Sequence, residues 1–210
     1  MVNGFMNPKI LEIEGWMHST ELQWLFDMGR YLPPDDGIFI EIGAWKGRSS
    51  AALYDGICGT NKIVISIATW KWDANCVDIP LKEPLLNQDV FSVYLNNMQA
   101  LGFNSACYTS LGTNPQHYIP GVRGPTYLKM ASVEASKLFL DGTVTMVFID
   151  GDHGDCGNDI DAWLPKVRNG GIIAGHDYFD WPDTIQKEIH KRFYVNQIIY
   201  SIWVHKVKNE

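Results

Sequence analysis

Two groups of side chains in this 210-residue chain have the types and spacing to do chemistry. They are Glu41-Ile-Gly43-Ala-Trp-Lys-Gly47, and Asp150-Gly-Asp152-His153 taken with Gly175-His176-Asp177. In the first, an acid ends an apolar run and glycines follow at Gly-x-x-x-Gly spacing. Glycines there let the backbone turn tightly and bring a ligand against amide N–H groups at the start of the next helix. That is a cofactor-binding pattern. It differs from Gly-x-Gly-x-x-Gly, whose second glycine admits a pyrophosphate, so a ligand without phosphates is favoured over a dinucleotide. In the second group, carboxylate oxygens could hold a divalent cation, and a histidine offers an imidazole whose ordinary pKa, about 6.5, suits a general base. The same residues also have plainer uses: glycines shape strand-to-helix turns, aspartates cap helices, and histidines satisfy backbone groups.

For these groups to meet, strand ends must carry them to one crevice. Ile38–Ile42 and Ile63–Ile67 are short, almost wholly apolar runs, as expected of strands buried on both faces of a parallel sheet. A helix beginning at Ser49 and running through Tyr54 supplies the crossover of a right-handed βαβ unit. Thr143–Ile149 is a further strand ending in Asp150, and Ile172-Ile173-Ala174 another ending near His176. In an open parallel sheet the ligand crevice lies outside the strands' carboxyl ends, which brings Asp150, His153, His176, Asp177 and Glu41 to one cleft.

Around this frame, Leu22, Leu25 and Phe26 mark one helical face, with Ser19 or Thr20 as its N-cap. Val90, Tyr94, Met98 and Leu101 mark a second helix. Ile160, Trp163, Leu164 and Val167 mark a third, stopped by Asn169-Gly170-Gly171. A last helix is expected over residues 184–192, followed by apolar runs at 197–200 and 202–207 that suit an antiparallel hairpin edge. Residues 72–129, with a Gly-, Pro-, Asn- and Thr-rich stretch from Gly112 to Pro125, read as an irregular insertion or lid. No linker or repeat divides the chain, so one α/β domain over residues 1–210 is expected.

Composition narrows the function classes. A formal net charge of -7 and 20% charged residues disfavour nucleic acid as a partner and favour a small molecule. Cys58, Cys76, Cys107 and Cys156 form no CxxC pair, the pattern of reduced thiols in a cytoplasmic protein. No apolar run reaches the roughly 18 residues of a membrane helix. Self-association into a homo-oligomer is left open.

Three phrases, Glu41-Ile-Gly-Ala-Trp-Lys-Gly-Arg-Ser-Ser50, Phe148-Ile-Asp-Gly-Asp-His153 and Gly170-Gly-Ile-Ile-Ala-Gly-His-Asp-Tyr178, together resemble the class I S-adenosylmethionine-dependent methyltransferases. Within them they resemble the branch of macrolide-sugar O-methyltransferases and cephalosporin-biosynthesis proteins. The resemblance implies a Rossmann-like methyltransferase fold: a mostly parallel seven-stranded sheet, an antiparallel C-terminal hairpin and helices on both faces. It implies an adenosylmethionine pocket lined by Glu41, Gly43, Ala44, Gly47 and Ser49, by Thr69 and Trp70 after the second strand, by Ser132 on the adenine side, and by Asp150. It further implies magnesium at Asp150, His176 and Asp177, with His153 as the base for O-methylation of a small hydroxylated, sugar-like or natural-product acceptor.

One position departs from that pattern. The family usually ends its second strand in an acid that binds the ribose hydroxyls, whereas Ala68-Thr69-Trp70 follows Ile67 here. Thr69 and Asp73 are the available substitutes. The loss of a charge-assisted bond, about 1.5–3 kcal/mol, gives weight to a second reading, a binding protein on the same scaffold without cofactor affinity. A metal-dependent hydrolase is a third, prompted by the carboxylates and imidazoles on adjacent strand ends. Trp45, Trp70, Trp72 and Trp181 lie beside the cleft segments as stacking surfaces or as ordinary rim packing, while Trp163 sits on a core stripe.

Overall fold

The first strand, β1 (Ile38–Ile42), turns Phe39 into one core and Ile40 and Ile42 into another, the alternation of a strand covered on both faces. The computed structural model describes residues 4–71, 88–103, 106–107 and 126–208. The expected insertion, including Trp72, Asp73 and Gly112 to Pro125, lies largely outside the described residues.

The remaining strands are β2 (Ile63–Ala68), β3 (Ala106–Cys107), β4 (Thr126–Lys129), β5 (Val144–Ile149), β6 (Val167–Gly175), β7 (Gln197–Ile199) and β8 (Ile202–Lys206). They form one sheet in the order β3-β4-β2-β1-β5-β6-β8-β7. Pairing is parallel from β3 through β6; β8 then runs antiparallel to β6, and β7 antiparallel to β8. This is the expected Rossmann-like methyltransferase sheet, seven strands with a C-terminal hairpin, to which the two-residue β3 adds an edge. Strand order reverses between β1 and β5, so the segments that leave their carboxyl ends turn to opposite faces of the sheet and open a crevice.

Helices α1 (Ser19–Tyr31), α2 (Arg48–Ile57) and α3 (Val90–Ala100) cover one face, burying Leu22, Leu25, Leu53, Tyr94 and Met98 against Phe39 and Phe148. On the other face lie α4 (Ser132–Ser136), α5 (Cys156–Trp163) and α6 (Lys187–His190), which bury Ala135, Ile160, Trp163 and Ile189 against Ile40, Ile65 and Val147. Trp163 is fully buried, a core residue as its stripe predicts.

Three local expectations are corrected. The N-cap of α1 is His18 rather than Ser19 or Thr20: its side chain accepts from the Thr20 amide while Glu21 returns a bond to the His18 amide, closing a capping box. Helix α5 ends at Trp163, short of the expected Val167, because Pro165 lacks the N–H a helix needs. Leu164–Lys166 form a 3-10 turn, and Val167 opens β6 opposite Val144 instead of extending the helical stripe. Asn169-Gly170-Gly171 consequently lies inside β6, where the register with β5 shifts. The last helix begins as a π turn at Pro182–Gln186 before α6. Among the described residues, Cys156 is a free thiol, and no helix is long and apolar enough to cross a membrane.

Candidate active site

The crevice at the carboxyl ends of β1, β2 and β5 holds a cavity of about 800 Å³. Its floor is the turn after β1. Gly43 has φ +90°, and a Cβ there would lie 2.0 Å from the Asp150 carbonyl oxygen, so only glycine lets β1 and β5 run this close together past their ends. The Gly43 amide donates to Ile67 O at 2.9 Å and the Asp150 amide to Ile42 O at 2.8 Å, tying the three strand ends to one another. Gly47, also at φ +90°, is the N-cap of α2, and Met98 and Tyr94 fill the space a side chain would need.

Gly43, Ala44 and Ser49 face the cavity, whereas Gly47 and Glu41 do not line it. Glu41 is fully buried beneath the floor, where Ser66 Oγ donates to its Oε2 at 2.6 Å and the Ser50 hydroxyl donates to the same oxygen. Burial pushes the Glu41 carboxyl up, against the lowering effect of the serine hydroxyls. Its second oxygen, Oε1, is buried without a hydrogen-bond partner.

Thr69, Trp70 and Ser132 line the cavity beyond the end of β2. Trp70 has φ +49° and is held by a 2.9 Å bond from its Nε1 to Trp45 O. Ser132 Oγ accepts from Trp163 Nε1 at 2.8 Å and also bonds Asp159, a buried acid that the sequence reading did not single out. Burial, reinforced by Asp155 and Asp152, pushes Asp159 up to about 6.

The opposite wall carries Asp150, His153, His176 and Asp177 together, as their strand-end positions predict. Asp177 Oδ2 is 2.7 Å from His153 Nε2, and Asp177 Oδ1 is 2.9 Å from His176 Nδ1. Asp150 Oδ1 lies 3.7 Å from the same Nδ1. The ring of His153 stacks on Trp181 at 4.8 Å. The fifth member of this wall is Glu21, whose Oε1 is 3.1 Å from His176 Nε2 and accepts from the Ser201 amide at 3.0 Å. Its only trace in the sequence is its place three residues after His18, the spacing of a capping box.

The wall is electrostatically tight. Burial opposes charge on His176, but its bonds to Asp177 and Glu21, with the charge of Asp150, outweigh this and lift the ring to about 11. Burial likewise raises Asp150, with Asp177 and Glu41 adding to the effect and His176 opposing it, to about 7. Asp177 goes the other way: the two histidines overcome its burial and hold it well below the usual carboxylate range.

A methyltransferase-domain family model matches residues 40–178, which span the turn after β1, both strand-end acids and His153. The chain belongs to the class I methyltransferases. No curated protein sequence matches it. Among solved structures, the S-adenosylhomocysteine-bound methyltransferase PaMTH1 of Podospora anserina is similar at 13% identity and TM-score 0.65, covering 98% of this chain and 90% of that one. The O-methyltransferase TomG of Streptomyces achromogenes, involved in tomaymycin synthesis and solved with S-adenosylmethionine, is similar at 12% identity and TM-score 0.57, covering 92% and 82%. Cofactor-bound Rv0187 from MTB is similar at 14% identity and TM-score 0.54; this chain covers 58% of its length, against 79% of this chain. At these identities the likeness is one of fold.

Proposed function

We propose that this methyltransferase transfers the methyl group of S-adenosylmethionine to a hydroxyl of a small acceptor, with His153 as the base. The carrying observation is the His153–Asp177 pair at 2.7 Å on the wall of the cavity whose floor is the Gly43 turn. Two features of the chain fit the cofactor. The cavity lies within the roughly 300–1,000 Å³ of small-molecule sites. The Gly43 turn leaves no room for a side chain between β1 and β5.

When bound, adenosylmethionine would supply an electrophilic methyl on a sulfonium, with a neutral thioether as the leaving group for transfer to the acceptor oxygen. Asp177 engages Nε2 of His153 and the stack on Trp181 fixes the ring's orientation, and in this reading Nδ1 serves as the basic nitrogen. The hydroxyl proton passes to that nitrogen. Alignment of oxygen, carbon and sulfur by a rigid wall is worth more than any single contact, since displacement depends steeply on geometry.

A divalent cation fits the same wall. Asp150, His176 and Asp177 each offer a ligand atom, all within 4.8 Å of one another, and an ion there would steady the developing alkoxide. Magnesium is the ion the sequence resemblance implies, and a sugar-like or natural-product hydroxyl is the acceptor it implies.

The test is incubation of the purified chain with methyl-labelled adenosylmethionine and a panel of hydroxylated acceptors, followed by mass spectrometry, with and without added magnesium. Transfer of one methyl group, cut about 10²–10⁴-fold by His153→Ala, is the expected result. Transfer in which His153→Ala loses less than tenfold removes His153 from the role of base.

A further inference from the structure

Resting on the cation site above, we propose that the ion this chain selects is a late first-row transition metal, of the Fe²⁺ to Zn²⁺ kind, rather than magnesium. Glu21 is the positioning residue that sets this choice. The donor set is two carboxylates and one imidazole: Asp150 Oδ1 and Asp177 Oδ1 lie 3.7 and 2.9 Å from His176 Nδ1. Ligand atoms about 2.0–2.2 Å from one ion sit roughly 3–3.5 Å apart, close to these separations. Magnesium takes oxygen and holds its waters, whereas an imidazole nitrogen favours iron, nickel, copper or zinc.

The far side of the imidazole strengthens the case. His176 Nε2 lies 3.1 Å from Glu21 Oε1, and Glu21 is itself fully buried and fixed by the amides of His18 at 2.7 Å and Ser201 at 3.0 Å. A carboxylate behind a metal-binding histidine orients the ring, sets which nitrogen carries the lone pair and raises its basicity. Here that carboxylate comes from the first turn of α1, is locked by the β7–β8 turn, and directs Nδ1 of His176 toward Asp150 and Asp177. Three separate parts of the chain are thereby committed to presenting one nitrogen donor, which an all-oxygen magnesium site does not require.

The test is titration of the intact natural chain with Co²⁺, Zn²⁺ and Mg²⁺ by calorimetry, with the visible absorption of bound Co²⁺ as a second readout independent of activity. His176→Glu and Glu21→Gln are titrated alongside, with thermal melting to confirm that each is folded. We expect Co²⁺ and Zn²⁺ to bind at least tenfold more tightly than Mg²⁺. His176→Glu should narrow that preference, and Glu21→Gln should weaken Co²⁺ binding about 10–100-fold. Equal or tighter binding of Mg²⁺ by the natural chain overturns the inference and leaves the cation site standing. Absence of binding by all three ions overturns both. Adenosylmethionine binding, measured separately, bears on neither outcome.

Discussion

Asp159 gives a prediction whose sign and size follow from its surroundings. The residue is 4% exposed, and its carboxyl is bonded to Ser132 and shares its neighbourhood with Asp155 and Asp152; burial leads the causes that raise its pKa from an ordinary 3.8 to about 6. The folded protein therefore binds more protons at this site than the unfolded chain does between about pH 4 and pH 6, and stability falls as pH rises through that window. At about 1.4 kcal/mol per pKa unit, the ionised carboxylate costs at most about 3 kcal/mol at pH 7 and above. Asp159→Asn keeps an acceptor for Ser132 but cannot ionise. It should be more stable than the natural chain by about 1–3 kcal/mol at pH 7.5, or about 2–12 °C in Tm for a chain of this length. The gain should vanish near pH 4, where both side chains are neutral. Thermal melts of both proteins from pH 4 to 8 isolate the residue through their difference. A difference that is constant with pH, or that favours aspartate at pH 7.5, refutes the reasoning.

Other consequences are as specific. Gly43→Ala places a Cβ 2.0 Å from Asp150 O at a positive φ, so it should cost about 2–5 kcal/mol in a denaturant melt and abolish adenosylmethionine binding. Ala68→Asp should restore a charge-assisted bond at the end of β2 and tighten adenosylmethionine binding about tenfold to hundredfold by calorimetry. Asp177→Asn removes both the partner of His153 and one candidate cation ligand. It should lower turnover about 10²-fold or more while leaving cofactor affinity within about threefold, as read from separate kinetic and binding assays.

The sheet was legible because its central strands are buried on both faces, which leaves almost wholly apolar runs at 38–42, 63–67 and 144–149 in the sequence. The convergence of Asp150, His153, His176 and Asp177 followed from strand polarity alone. Periodicity misled at Val167: it lies in register with the stripe of α5, yet Pro165 ends the helix and the residue pairs with Val144 in the sheet. Glu41 kept its place in the motif, but the serines at 50 and 66 draw its side chain under the floor, and no pattern in the motif specifies that direction. Glu21 was invisible because its partner His176 lies 155 residues away, and a capping acid has no sequence mark that announces a second bond.

The most direct test of methyl transfer by this chain is calorimetric titration of the natural protein with S-adenosylmethionine and S-adenosylhomocysteine. The cavity floored by Gly43 and walled by Ser132 and Asp150 should bind both with dissociation constants on the order of micromolar, despite Ala68. No heat of binding up to about 1 mM of either ligand, with the protein folded by its melting curve, would contradict the account.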